Sequence, residues 1–94
     1  MRDTSEDKQR LAKIREIGKE IYYSSAACEW SKISELARMA AAYEYMDFDR
    51  VMLRHSFEKH QSFKRETKKA EAWERVKEHA WKLRGLAAMA DSPP

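Results

Sequence analysis

The chain reads as an all-α protein, a compact bundle of three to four antiparallel helices joined by short turns. Three observations predict it. Between Gly18 and Gly85 there is neither glycine nor proline, the two residues that most often interrupt regular structure. That stretch is rich in Ala, Glu, Lys, Arg, Leu and Met, whose side chains lose little rotamer freedom in a helix. A single helix over it would run roughly 100 Å. Hydrophobic residues make up 43% and aromatic residues 11% of the chain, too many to leave on an uncovered rod. The helix must therefore fold back on itself.

Taken in order, the first helix starts near Thr4 or Ser5, which can cap free backbone N–H groups. Glu6 and Asp7 then face the positive end of its dipole. Leu11, Ile14, Gly18, Ile21, Ser25 and Cys28 alternate at spacings of three and four and form one face, widened by Ile17 and Tyr22. Gly18 on that face either permits close helix approach or is a tolerated defect. The first helix breaks between Ser24 and Ser31, or else continues straight to Met46.

The second helix covers about 31–46. Its stripe is Ile33, Leu36, Ala37, Ala40 and Tyr43, and Met39, Ala41, Ala42 and Met46 carry the apolar surface almost all round. Asp47-Phe48-Asp49 is expected as a turn. The third helix, about 49–62, places Met52, Leu53, Phe57, His60 and Phe63 on one side, opposite Arg50, Arg54, Glu58 and Gln61, and Ser62 is the next expected cap. In the fourth helix, about 64–84, the inner stripe is Ala70, Trp73, Val76, Ala80, Leu83 and Ala87. Lys82, Arg84, Gly85 and Leu86 compose a stop signal. Residues 1–90 form one domain, and 91–94 read as a disordered tail. The hairpin pieces Ile21, Trp30, Ile33 and Leu36 resemble the helix hairpins of tetratricopeptide-like and flagellar export-chaperone proteins. The resemblance touches a short part of the chain and implies helix hairpins, with no activity attached.

Charge divides unevenly. The formal net charge is +3, with a balance of −2 over residues 1–49 and +5 over 50–94. No window of about 20 apolar residues is present, so no membrane span is expected. A single cysteine, Cys28, cannot form an internal disulfide, and the charged N-terminus lacks the apolar run of a secretory signal. The expected location is cytoplasmic.

Little in the residues points to chemistry. His55 and His60 are five apart and share a helix face poorly. No Glu-x-x-His or His-x-x-x-His spacing occurs, so no metal and no cofactor is expected. His55 and His79 read as exposed and His60 as a core-edge residue. Cys28, on an inner face, reads as a small buried hydrophobe. Glycine-rich phosphate loops and nucleophile elbows are absent, and Glu71, Glu74 and Glu78 are spaced like a solvated face, so an enzyme is not expected.

Two features suit binding. Tyr23, Tyr45, Phe48 and Trp81 fall away from the apolar stripes or in the turn, and Tyr and Trp are favoured interface anchors. The segment 59–69 carries Lys64, Arg65, Lys68 and Lys69, which would align pairwise on a helix. The first feature predicts a small protein-binding module (an adaptor, an inhibitor or a chaperone-like regulator) that occupies a surface of a larger protein. A homodimer through the second helix is compatible with it. The second feature predicts a nucleic-acid-binding regulator, the alternative reading.

Overall fold

In the computed structural model, which describes residues 4–24 and 30–91, the chain is an all-α bundle with four α-helices. These are α1 (Thr4–Tyr22), α2 (Trp30–Ala40), α3 (Asp47–Ser62) and α4 (Glu66–Ala90), with a single turn of 3₁₀ helix at Glu44–Met46. No strand occurs among the described residues. The expected positions of Ser25, Cys28 and the intervening break lie outside the described residues, although Tyr23 already leaves α1 in a turn, so α1 ends before Ser24.

The organising element is α4. Its 25 residues correspond to about 37 Å of helix. Its first half packs against α3: His60 lies 5.5 Å ring to ring from Trp73, and Phe48 lies 6.1 Å from His79. Its second half packs against α1, where Tyr22 stacks 4.4 Å from Trp81 and Arg15 reaches Asp91 at 3.1 Å. Both neighbours run antiparallel to α4, because rising numbers on one meet falling numbers on the other. The short α2 packs against both α1 and α3. Lys32 pairs with Glu20 at 3.1 Å, and Trp30 lies 5.4 Å from Phe57. Staggering α1 and α3 along one long helix produces a rod of 50 × 20 × 20 Å.

The core is contributed by every helix: Ile14 and Ile21 from α1, Ile33 and Leu36 from α2, Leu53 from α3, and Val76 and Leu83 from α4 are fully buried, as is Met46. α1 and α4 approach each other closely at Gly18. A Cβ there would sit 2.8 Å from the Ala80 carbonyl oxygen and 3.1 Å from Arg84 Cβ. The glycine is thus required for the α1–α4 contact.

Several boundaries differ from those the sequence predicts. The turn before α3 comes early, at residues 41–43, because α2 stops at Ala40 and Tyr43 turns inward. Its buried ring lets its hydroxyl donate to Asp7 at 2.7 Å. Asp47-Phe48-Asp49 is accordingly the first turn of α3, where the aspartates suit the helix dipole. Ala41 and Ala42 are exposed, so the second helix is not apolar all round. Ser62 caps nothing ahead of it and instead donates to the Lys59 carbonyl at 3.1 Å. α4 starts at Glu66, which leaves Lys64 and Arg65 outside it, and it runs through Gly85 to Ala90. The stop signal fails because Leu86 and Ala87 pack on the core and no glycine adopts a positive φ. Asp91 is held by Arg15 and closes α4, its N–H donating to the Ala87 carbonyl at 3.1 Å.

Candidate interaction surfaces

The four aromatic residues singled out above do not form one patch. On α4, His79 and Trp81 point about 160° apart. Phe48, which rests edge-on against His79, therefore lies on the other side of α4 from the Tyr22–Tyr23–Trp81 cluster. Tyr23 is 69% exposed and meets Tyr22 and Trp81 edge-on at 5.1 and 5.9 Å. Trp81 is only partly exposed: Tyr22 stacks on it, and the Arg84 guanidinium lies 3.9 Å from its ring centre. It supports the cluster from within. Tyr45 is 53% exposed and packs 5.6 Å from Tyr43. Burial, followed in size by the hydrogen bond to Asp7, pushes the Tyr43 phenol above its ordinary pKa; burial and nearby Asp7 do the same to Tyr45.

The basic segment is divided by the fold. Lys69 Nζ donates to the His60 carbonyl, and His60 Nδ1–H donates to the Lys69 carbonyl, both at 3.0 Å. This reciprocal clamp ties the end of α3 to the start of α4 and takes Lys69 out of a free patch. Lys68 lies 3.8 Å from Glu71. Lys64 and Arg65 are exposed in the connecting turn, so the pairwise alignment expected on a helix does not occur.

Three features escaped the reading of the sequence. One is His79, expected to be exposed but only 4% exposed in the fold. Its Nδ1–H donates to the buried Asp49 carboxylate at 2.9 Å, and its Nε2 lies 3.9 Å from Glu78. This pair has the polarity of a catalytic His–Asp couple, but the imidazole is enclosed and serves as a tie between α3 and α4. Another is Trp30, 5.6 Å from the Arg54 guanidinium and bordering a shallow hollow of about 380 Å³ with Phe57, Glu58 and Gln61.

The third is a groove of about 270 Å³ between α3 and α4. Its walls include His55, Lys59, Lys68 and Arg75, and Met52, Phe63 and Ala72 supply its apolar part. Lys68 and Arg75 are seven residues apart on α4, two helical turns, which puts them on one line. That spacing was legible, but its pairing with α3 was not.

Among the described residues, no group of three His, Cys, Asp or Glu side chains is placed to hold a metal ion, and no helix is long and apolar enough to cross a membrane. Comparison with protein families, with curated proteins and with solved structures finds no match.

Proposed function

We propose that this chain is a small protein-binding module, an adaptor, inhibitor or chaperone-like regulator that works by occupying a surface of a larger partner protein. The observation that carries this reading is the state of its aromatic side chains. Tyr23, Tyr45 and Phe48 (68% exposed) each leave more than half of their surface in water, yet each is braced by a neighbouring ring. Braced aromatics lose little further entropy when a partner covers them, which makes them effective anchors. The nucleic-acid reading draws on Lys64, Arg65 and Lys68, which stay exposed at one end of the rod. It loses Lys69 to the His60 clamp and shares Lys68 with Glu71.

The test is to place a photo-crosslinking residue at position 23, 45 or 48, recover the crosslinked partner, and measure its affinity for variants. Tyr23→Ala, Tyr45→Ala or Phe48→Ala should weaken binding, with truncation of an anchor costing about 2 kcal/mol. Replacing Lys64, Arg65, Lys68 and Lys69 by Gln should have a smaller, salt-dependent effect. Binding of duplex DNA or RNA that disappears in the quadruple variant, with the aromatic variants unaffected, would overturn the proposal.

A further inference from the structure

The surface between α3 and α4 carries two facing stripes. On α3, Phe48, Met52, His55 and Lys59 follow one another at spacings of four, three and four. On α4, Lys68, Ala72, Arg75 and His79 repeat the same spacings. The helices run antiparallel, so the stripes meet in opposite order. Phe48 touches His79 at one end, and Lys59 and Lys68 line the same groove at the other. Because α2 contacts α3 through Trp30 and Phe57, on the side away from Met52 and His55, no described helix covers this groove.

We infer that this groove receives an acidic amphipathic helix of a partner protein, with apolar side chains seated on Met52, Phe63 and Ala72 and carboxylates meeting Lys59, Lys68 and Arg75. The inference rests on the protein-binding reading and gives it a site and a partner chemistry.

Charge complementarity selects the occupant. With His55 neutral, the residues lining the groove carry a net charge of +2, and Glu71 is their one carboxylate. The cations stand on both helices and flank apolar surface, the inverse of a helix whose apolar stripe is flanked by Asp and Glu. Phe48, largely exposed and braced by His79, adds an aromatic anchor at the far end. A nucleic acid makes no use of the apolar surface.

The inference can be tested by selecting binders to the full chain from a displayed library of random peptides of about 16 residues, long enough for roughly four helical turns. Selected peptides should be net acidic, with apolar residues at helical spacing. Their amide-shift footprint should fall on Met52, His55, Lys59, Phe63, Ala72 and Arg75. Affinity should drop about tenfold or more in Lys59→Glu/Arg75→Glu, and detectably in the milder Lys59→Gln/Arg75→Gln and in Phe48→Ala, with circular dichroism unchanged.

Peptides that are neutral or basic, or whose footprint falls on Tyr22, Tyr23 and Trp81, would overturn the groove assignment and leave the protein-binding reading standing. Failure to select any peptide, together with salt-sensitive capture of duplex DNA through Lys59, Lys68 and Arg75, would overturn both. Failure to select any peptide without such capture would overturn the groove assignment alone.

Discussion

The two glycines of this chain have opposite roles. Gly18 sits where α1 meets α4, and an added Cβ would press against a backbone oxygen that cannot turn aside. Gly18→Ala gains about 1 kcal/mol of helix propensity but must push the helices apart, at a cost of about 1–3 kcal/mol, so the variant should be less stable. At Gly85 an added Cβ meets nothing within 4 Å and the backbone is helical. Gly85→Ala should stabilise by up to about 1 kcal/mol. Denaturant midpoints of the two variants should move in opposite directions; movement in the same direction would refute this account of the α1–α4 contact. Tyr43 provides a pH-dependent counterpart. Its phenol ordinarily titrates at 10.0 and is held higher in the folded chain by burial and by its bond to Asp7. Above pH 10 the unfolded chain therefore loses this proton first, and stability falls as the pH rises toward the folded value. Tyr43→Phe should flatten the fall in urea midpoint between neutral and strongly alkaline pH, leaving the slope due to Tyr45, whose phenol is also held up.

At the scale of the element, α4 shows how far periodicity reaches. Val76, Ala80, Leu83 and Ala87 are buried as their spacing predicts. Trp73, on the same stripe, is only partly covered, and Ala70 is exposed, because the stripe drifts off the α3 face toward the start of α4. Ala72 and His79 are buried in their place. Leu83→Ala should consequently cost about 2–5 kcal/mol, and Trp73→Ala, for all its larger size, about 2 kcal/mol. Chemical denaturation that ranked Trp73 above Leu83 would show that the start of α4 is packed more tightly than this. The helical character of each segment and most of the core were legible because they depend on residues three and four apart. The burial of His79 was not, since it depends on Asp49, thirty positions away and on another helix. Lys69 likewise looked like part of a cationic patch until α3 supplied the His60 carbonyl. The same limit hid the groove between α3 and α4: Lys68 and Arg75 are visibly in line, but which residues of α3 face them is a property of the packing.

At the scale of the whole molecule, one long helix serves two neighbours in turn, and this should govern how the protein opens. The start of α4 leans on α3 through the His60–Lys69 clamp and is otherwise mostly exposed over Glu66–Glu71. Beyond its last turn, α4 is fastened to α1 by the Arg15–Asp91 pair, a largely surface contact worth at most about 1 kcal/mol. Between these ends the situation changes. From Val76 to Leu83 the helix passes from the α3 contact at His79 to the α1 contacts at Ala80 and Trp81. Val76, Ala80 and Leu83 are fully buried there. Releasing that segment requires both neighbours to let go, so it should open only with global unfolding, whereas either end can fray with one neighbour still in place. Native-state hydrogen exchange should accordingly find the slowest amides of α4 between Val76 and Leu83, with protection falling toward Lys69 on one side and toward Ala90 on the other. Leu83→Ala should lower protection of the central segment by its full effect on global stability and leave the exchange of the fraying ends nearly unchanged. Equal protection along all of α4, or a maximum near its first turns, would mean that α1 and α3 do not share one cooperative spine.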